Sequence, residues 1–487
     1  MGNYNMSLAK KTTVGIIWNF AEMMSKRGIS IVITLLLARF LAPDDYGLIA
    51  MMSVFTAVAT EAMESGFRQA LIRKSDAKQV DFNTAFYTNI ILAILAYLAL
   101  FASAPLISTF YGEPRLTLLI RVVGITILIS SLQVVQSSIL TRELKFKAQL
   151  QVTIPATIIS GIIAVIMAYH GFGVWALIAQ MVVSSILITF SIWSLKLWRP
   201  TREVSRESFN EMYSFGSKIF LSNLLGIVFE NLYVIVIAKI FTTAVAGHYF
   251  FAKKIRDMTL TQFVKTIQVV TYPALATLQN DDVALKSGYR KIIRVTTYLV
   301  FPGMGFLAAL AEPFFVLMLN IKWIPAVPYL QLLCIGGLMY PLHSINMNIL
   351  QIKGRSDLLL YLEVFKKIFT VIILLTTVKY GVIAILVGQV IASFLSYIPN
   401  SYFSGKMINY PSSEQMSDFV PSLILSGTIS IAIYFAVSTL VLPAYIELLL
   451  FGALAVIVYI GASYILKVEA IYIIYHLIKG TLKKRHQ

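Results

Sequence analysis

The run from Asn83 to Thr109, NTAFYTNIILAILAYLALFASAPLIST, decides the fold, because its 27 residues include no Asp, Glu, Lys or Arg. A helix needs about 20 apolar residues to cross the ~30 Å of bilayer hydrocarbon, so this run reads as a transmembrane span. Similar runs, bounded by Lys/Arg, Pro, Gly or Asp clusters, recur along the chain and predict about fourteen spans. They fall near 12–41, 45–66, 83–109, 116–138, 149–168, 173–195, 213–240, 244–272, 289–310, 325–351, 357–379, 381–403, 418–440 and 444–466. Composition agrees, with 58% hydrophobic residues, 13% charged residues and a mean hydropathy of +0.79. Soluble domains hold about 45–50% apolar and about 25% charged residues, so this chain cannot wrap itself in a polar surface. The expected fold class is an all-α polytopic membrane protein with no room for a soluble catalytic domain.

The net charge of +17 does not point to nucleic acid, since the basic residues sit at span ends rather than in one polar stretch. One set of alternate loops, together with both chain ends, holds 25 Lys and Arg residues, and the other set holds only Arg39, Arg115, Lys239, Lys322 and Lys379. Cytoplasmic loops carry such an excess, so both termini are expected in the cytoplasm. The first apolar segment is too long for a signal-peptide core and is expected to stay as the first span. Cys334 is the only cysteine, which excludes an intrachain disulfide and a cysteine-built metal site.

The chain also repeats. A shift of 200 residues aligns Ala38-Arg39-Phe40-Leu41 with Ala238-Lys239-Ile240-Phe241 and Gly47 with Gly247. A shift of 208 aligns Pro105 with Pro313, and Gly173-Val174 with Gly381-Val382. The unit is about six helices, and an even number of spans gives two copies of the same orientation, as in transporters with parallel repeats. The expected division is a six-helix lobe over residues 1–206, a second over 207–411, and two extra spans with a cytoplasmic amphipathic tail over 412–487. The interface between the lobes is the natural place for a substrate.

Ten basic residues fall within or at the edge of predicted spans, among them Lys26, Arg27, Arg121, Lys218, Lys253, Lys254 and Arg256. A cation at a helix centre costs about 2.5–3.5 kcal/mol on insertion scales, so these residues are expected to face a hydrated cavity. Asn19, Glu22 and Lys26 share one helical face, and so do Lys253, Arg256 and Asp257. Asn223, Glu230 and Asn231 add a polar face to the seventh span. A cationic chamber suits phosphate or diphosphate, so the expected cargo is anionic and amphipathic. Glu22 and Glu230 are candidates for coupling to H+ or Na+. Asn223, Asn231, Tyr340, His343 and Asn346 are candidate glycan contacts. Pro155, Pro302 and Pro341 lie inside predicted spans, where proline permits bending or a static kink.

Catalysis is not expected. His170, His248 and His343 are isolated in sequence, no G-x-x-x-x-G-K-[ST] motif is present, and every predicted outer loop is at most about 15 residues long. No cofactor or metal is implied.

Five stretches carry a family resemblance: LLLARFLAPDDYGLIAM (35–51), SSILTRELKFK (137–147), YFFAKKIRDM (249–258), KWIPAVPYLQLL (322–333) and GRSDLLLYLEVFKK (354–367). In this order they resemble the polysaccharide transporter family, the O-antigen and exopolysaccharide flippases of the multidrug, oligosaccharidyl-lipid and polysaccharide exporter superfamily. The resemblance implies a V-shaped pair of six-helix lobes plus two C-terminal helices in the bacterial inner membrane. It also implies translocation of an undecaprenyl-diphosphate-linked glycan, with a polysaccharide polymerase and chain-length proteins as partners. The relative that flips the peptidoglycan precursor is similar in carrying arginines in its first span, but at a place where this chain has Ile33 and Thr34. Two other classes are weighed beside this one. A drug/cation antiporter of the same superfamily would use Glu22, Glu61, Glu64 or Glu230, and a membrane glycan polymerase or ligase would need a large outer loop.

Overall fold

The computed structural model describes residues 28–440 and 442–475, without side chains at 261–274; Lys26, Arg27 and Glu22 lie outside the described residues. Among these residues the chain is predominantly helical, with no β-strand. Among the described residues, ten helices are long and apolar enough to cross a membrane, or eleven when the pair Leu116–Ser131 and Val134–Arg142, bent by 49°, counts as one span. Helices overlie the expected spans from the second onward, several of them in two pieces, and Gly28–Phe40 is a shorter apolar helix over the end of the first. Thr243–Ala276 and Ser356–Thr377 are helical too but stand outside those ten; the first carries Lys253, Lys254, Arg256 and Asp257 and the second Glu363, Lys366 and Lys367.

Side-chain placement follows the bilayer. On helix Gln79–Tyr111, Ile91, Leu95 and Leu98 recur at spacings of four and three, and all are more than half exposed. Leu450, Leu454 and Ile457 form a similar stripe on Ala444–Ile465. Bare apolar stripes of this length are disfavoured in water and are what lipid-facing helices present.

Predicted spans break where the backbone changes course. The seventh expected span is two helices, Arg206–Glu230 and Leu232–Ile240, joined at Asn231, whose side chain donates to the Ile227 carbonyl at 2.8 Å. Pro155 and Pro302 lie inside Phe146–Tyr169 and Asp282–Ala309. Pro341 instead opens a helix, Tyr340–Ile352, in the first turn, where its missing N–H costs no bond.

By packing, the chain forms two compact units, Met1–Phe250 and Phe251–Gln487. The first unit has a core that includes Phe67, Phe86, Val135, Trp198 and Met212. Its helix Pro43–Glu64 is gripped at both ends. At one end a Cβ on Gly47 would fall inside the van der Waals radius of the Thr243 carbonyl oxygen, and a Cβ on Gly247 inside that of Pro43. Pro43 thus meets Gly247 and Gly47 meets Thr243, so each residue touches the counterpart of the other 200 positions on, the reciprocal pattern of a locally two-fold contact. At the other end Gly66, at φ +74°, and Gly216 touch backbone to backbone. Between them Asn223 donates to Glu61 Oε1 at 2.8 Å.

In the second unit, Asp282–Ala309 packs along Ser412–Thr439 around a core that includes Tyr289, Phe301, Tyr410 and Phe419. An ion network fixes the pair. Asp418, with its side chain 2% exposed, accepts from Arg290 Nε and Nη2 at 2.8 and 2.9 Å, from Arg294 Nε at 2.9 Å, and from the Tyr410 hydroxyl. Glu414 joins through Lys286 at 2.7 Å and Arg290 at 3.0 Å, and Arg294 also pairs with Glu469. The described start of the expected amphipathic tail is helical and packs down, with Ala470 buried beside Tyr298, Leu425 and Tyr459.

Candidate transport site

In the first unit, Arg121 lies on the apolar helix Leu116–Ser131 and is half-buried. Its guanidinium carbon sits 4.2 Å from the centre of the Phe101 ring, and its Nε is buried without a hydrogen-bond partner. Among the described residues, no carboxylate lies within ion-pair distance of it. A cation held this way keeps its charge for something else, since a ring face attracts but does not neutralise it. Lys218 is exposed and opens into a cavity of about 480 Å³ together with Arg73 and Lys74. Asn223 is occupied by Glu61, and Glu230 is exposed beside the helix break at Asn231.

In the second unit the face predicted from spacing is present. Asp257 accepts from Lys253 Nζ at 3.1 Å and from Arg256 Nε at 2.9 Å, so two cations share one carboxylate and the trio keeps a net positive charge. Lys254 is half-buried on the same helix. Arg256, Tyr340 and His343, drawn from separate stretches of sequence, line one cavity of about 110 Å³ with Gln389 and Ser393. His343 Nε2 lies 3.0 Å from the Ser393 carbonyl oxygen and Nδ1 lies 3.0 Å from Asn400 Nδ2. This pattern fits a neutral ring that donates from Nε2 and accepts at Nδ1. Asn346 is fully buried, and its amide is engaged on both sides: the oxygen accepts from Tyr289 and Ser404, and the nitrogen donates to Leu342.

Sequence reasoning did not single out Arg73 and Lys74, which it counted among loop charges, or Asp418. The available signal for Arg73 was an aromatic partner, Phe215, but that contact joins residues 142 positions apart and leaves no mark on local spacing.

Apolar helices of membrane-spanning length, with bare apolar stripes along their outer faces, define an all-helical polytopic membrane protein. The family model described as "Polysaccharide biosynthesis protein" matches residues 36–328, and the chain belongs to that family. It is 25% identical over 400 residues to the lipopolysaccharide biosynthesis protein WzxC of Escherichia coli K12, a match covering 80% of this chain and 81% of that protein. It is 25% identical to the teichuronic acid biosynthesis protein TuaB of Bacillus subtilis over 73% of this chain and 74% of that one. The succinoglycan biosynthesis transport protein ExoT of Rhizobium meliloti is 24% identical, with 68% of each chain covered. Among solved structures, the lipid II flippase MurJ in its inward closed conformation matches with a TM-score of 0.74 over 93% of this chain and all of that one, at 16% identity. An inward-facing multidrug transporter of the MATE family matches with a TM-score of 0.58 over 77% of this chain and 94% of that one, at 14% identity. At these identities the structural likeness establishes the fold.

Proposed function

We propose that this chain is a flippase that carries a lipid-linked glycan across the bacterial inner membrane by alternating access, with undecaprenyl diphosphate as the lipid carrier. The carrying observation is Arg121, a guanidinium held over Phe101 inside an apolar helix with no carboxylate beside it. Such a group is costly to keep unless an anion visits it, and a diphosphate supplies the oxygens that a guanidinium binds best. Lys218, Lys253, Lys254 and Arg256 add charge of the same sign, and Lys26 and Arg27, outside the described residues, are assigned to the same role. Family membership supports the glycan half of the reading, and the names of the relatives, lipopolysaccharide, teichuronic acid and succinoglycan, support a polymeric sugar product. Tyr340, His343, Asn223 and Asn231 are the polar groups assigned to the sugar in this reading. Coupling to H+ or Na+ is assigned to Glu22 or Glu230, and both termini to the cytoplasm. A polysaccharide polymerase and chain-length proteins are the expected downstream partners.

Two measurements test this. Deletion in the native host should make the lipid-linked glycan accumulate in the cytoplasmic leaflet, whereas altered drug resistance without accumulation would favour the antiporter. Charge reversal at Arg121, Arg27, Lys253 and Arg256, each to Glu, should abolish transport at normal protein levels. Unchanged transport in all four variants would refute a cationic path.

A further inference from the structure

We propose that the cavity of about 480 Å³ in the first unit is a phosphate-binding site, in which Arg73 and Lys218 hold the phosphate of a membrane lipid. The cavity opens between helix Phe67–Arg73, the turn that follows it, and helix Arg206–Glu230. Its walls are fixed nearby by the backbone contact of Gly66 with Gly216, two residues before Lys218.

Three cations and two carboxylates face this space, and their pairing leaves two cations free. Lys74 Nζ donates to Glu211 at 2.7 Å and to Asp81 at 3.1 Å, and the Glu211 bond in the first place holds its ammonium above the ordinary lysine range. Glu211 is thereby used up as a strut between the two helices. Asp76 is the remaining acid, and among the described residues neither it nor any other carboxylate lies within ion-pair distance of Arg73 or Lys218. The Arg73 guanidinium lies 4.5 Å from the centre of the Phe215 ring. That contact attracts the guanidinium without neutralising it, and Arg73 lines the cavity with an N–H fork of the kind that takes two oxygens of one phosphate. Lys218 supplies a mobile point charge from the other helix.

A lipid phosphate suits the space better than a free ion. Arg73, Lys74 and Lys78 belong to the loop set that the charge distribution assigns to the cytoplasm, which places the cavity at the level of the inner headgroups. Met212 and Phe215 give it an apolar wall against which an acyl or prenyl chain can begin. The phosphate can belong to an anionic phospholipid or to the diphosphate of the cargo, and the second source rests on the flippase reading.

The test uses the full-length protein in phosphatidylcholine nanodiscs, with binding of undecaprenyl diphosphate and of phosphatidylglycerol measured by native mass spectrometry. Arg73→Gln combined with Lys218→Gln should weaken one or both probes by about tenfold or more, the scale of losing charge-assisted bonds. Lys145→Gln, at an exposed residue paired with Glu143, should change neither. Loss of undecaprenyl diphosphate binding assigns the site to the cargo headgroup, and loss of phosphatidylglycerol binding alone assigns it to a phospholipid. Unchanged binding of both probes overturns the site. If the double variant does not fold, Lys218→Gln alone carries the test, because that side chain is exposed and supports no packing. A wild-type protein that binds undecaprenyl diphosphate here yet fails to move the lipid-linked glycan would remove the flippase reading and leave the site standing.

Discussion

Gly47→Ala and Gly247→Ala should each destabilise the protein by about 1–3 kcal/mol or more, the usual scale of overpacking against atoms that cannot yield. At both positions the new methyl group would meet a backbone carbonyl, that of Thr243 or Pro43, and not the end of a flexible side chain. The reciprocity of the contact sharpens the expectation. Once one methyl has pushed the two helix starts apart, the second has room, so the double variant should lose clearly less than the sum of the singles. Thermal unfolding in detergent, followed by tryptophan fluorescence, measures all four members of this cycle. Strict additivity would show that the two glycines do not share one contact.

Asp418→Ala is expected to cost as much, at up to about 3 kcal/mol, because it leaves the part-buried Arg290 and Arg294 without their shared carboxylate. Asp418→Asn preserves shape and should still lose most of that stability, since charge and not volume is what the two guanidinium groups need. Glu414→Ala should be milder, because Glu414 and its partners Lys286 and Arg290 are about one-quarter to one-third exposed. Denaturation in mixed detergent, compared across the three variants, checks the ranking. An Asp418→Ala protein as stable as the parent would mean that the network contributes nothing to holding Ser412–Thr439 on Asp282–Ala309.

The membrane fold was legible because a span is a local property: length, apolarity and the sign of the flanking charge are all read within about 20 residues. The likeness of the helix starts at 47 and 247 was legible for a different reason, since the two segments repeat each other and the matching glycines stood out at a fixed shift. What they touch was not legible, because nothing in a repeat says that its copies meet at that point. The trio Lys253, Arg256 and Asp257 came out as expected from helical spacing, which sets i,i+3 and i,i+4 neighbours without help from the rest of the chain. Asp418 escaped because its partners lie 124 and 128 positions away and because Arg290 and Arg294 were counted as loop charges. In the structure they occupy helix Asp282–Ala309, where their stems reach the facing helix. Arg73 was missed in the same way. Charges that mark topology and charges that build a site look alike in sequence, and only the fold separates them.

Helix Thr243–Ala276 raises a question of biogenesis. With two lysines, an arginine and an aspartate inside five residues, it is a poor candidate to leave the insertion machinery by itself. Pairing of Lys253 and Arg256 on Asp257 lowers the penalty but leaves a surplus charge. Its insertion is expected to depend on neighbouring helices that shelter these charges. The order in which ribosomes deliver those neighbours then becomes part of how the protein acquires its topology.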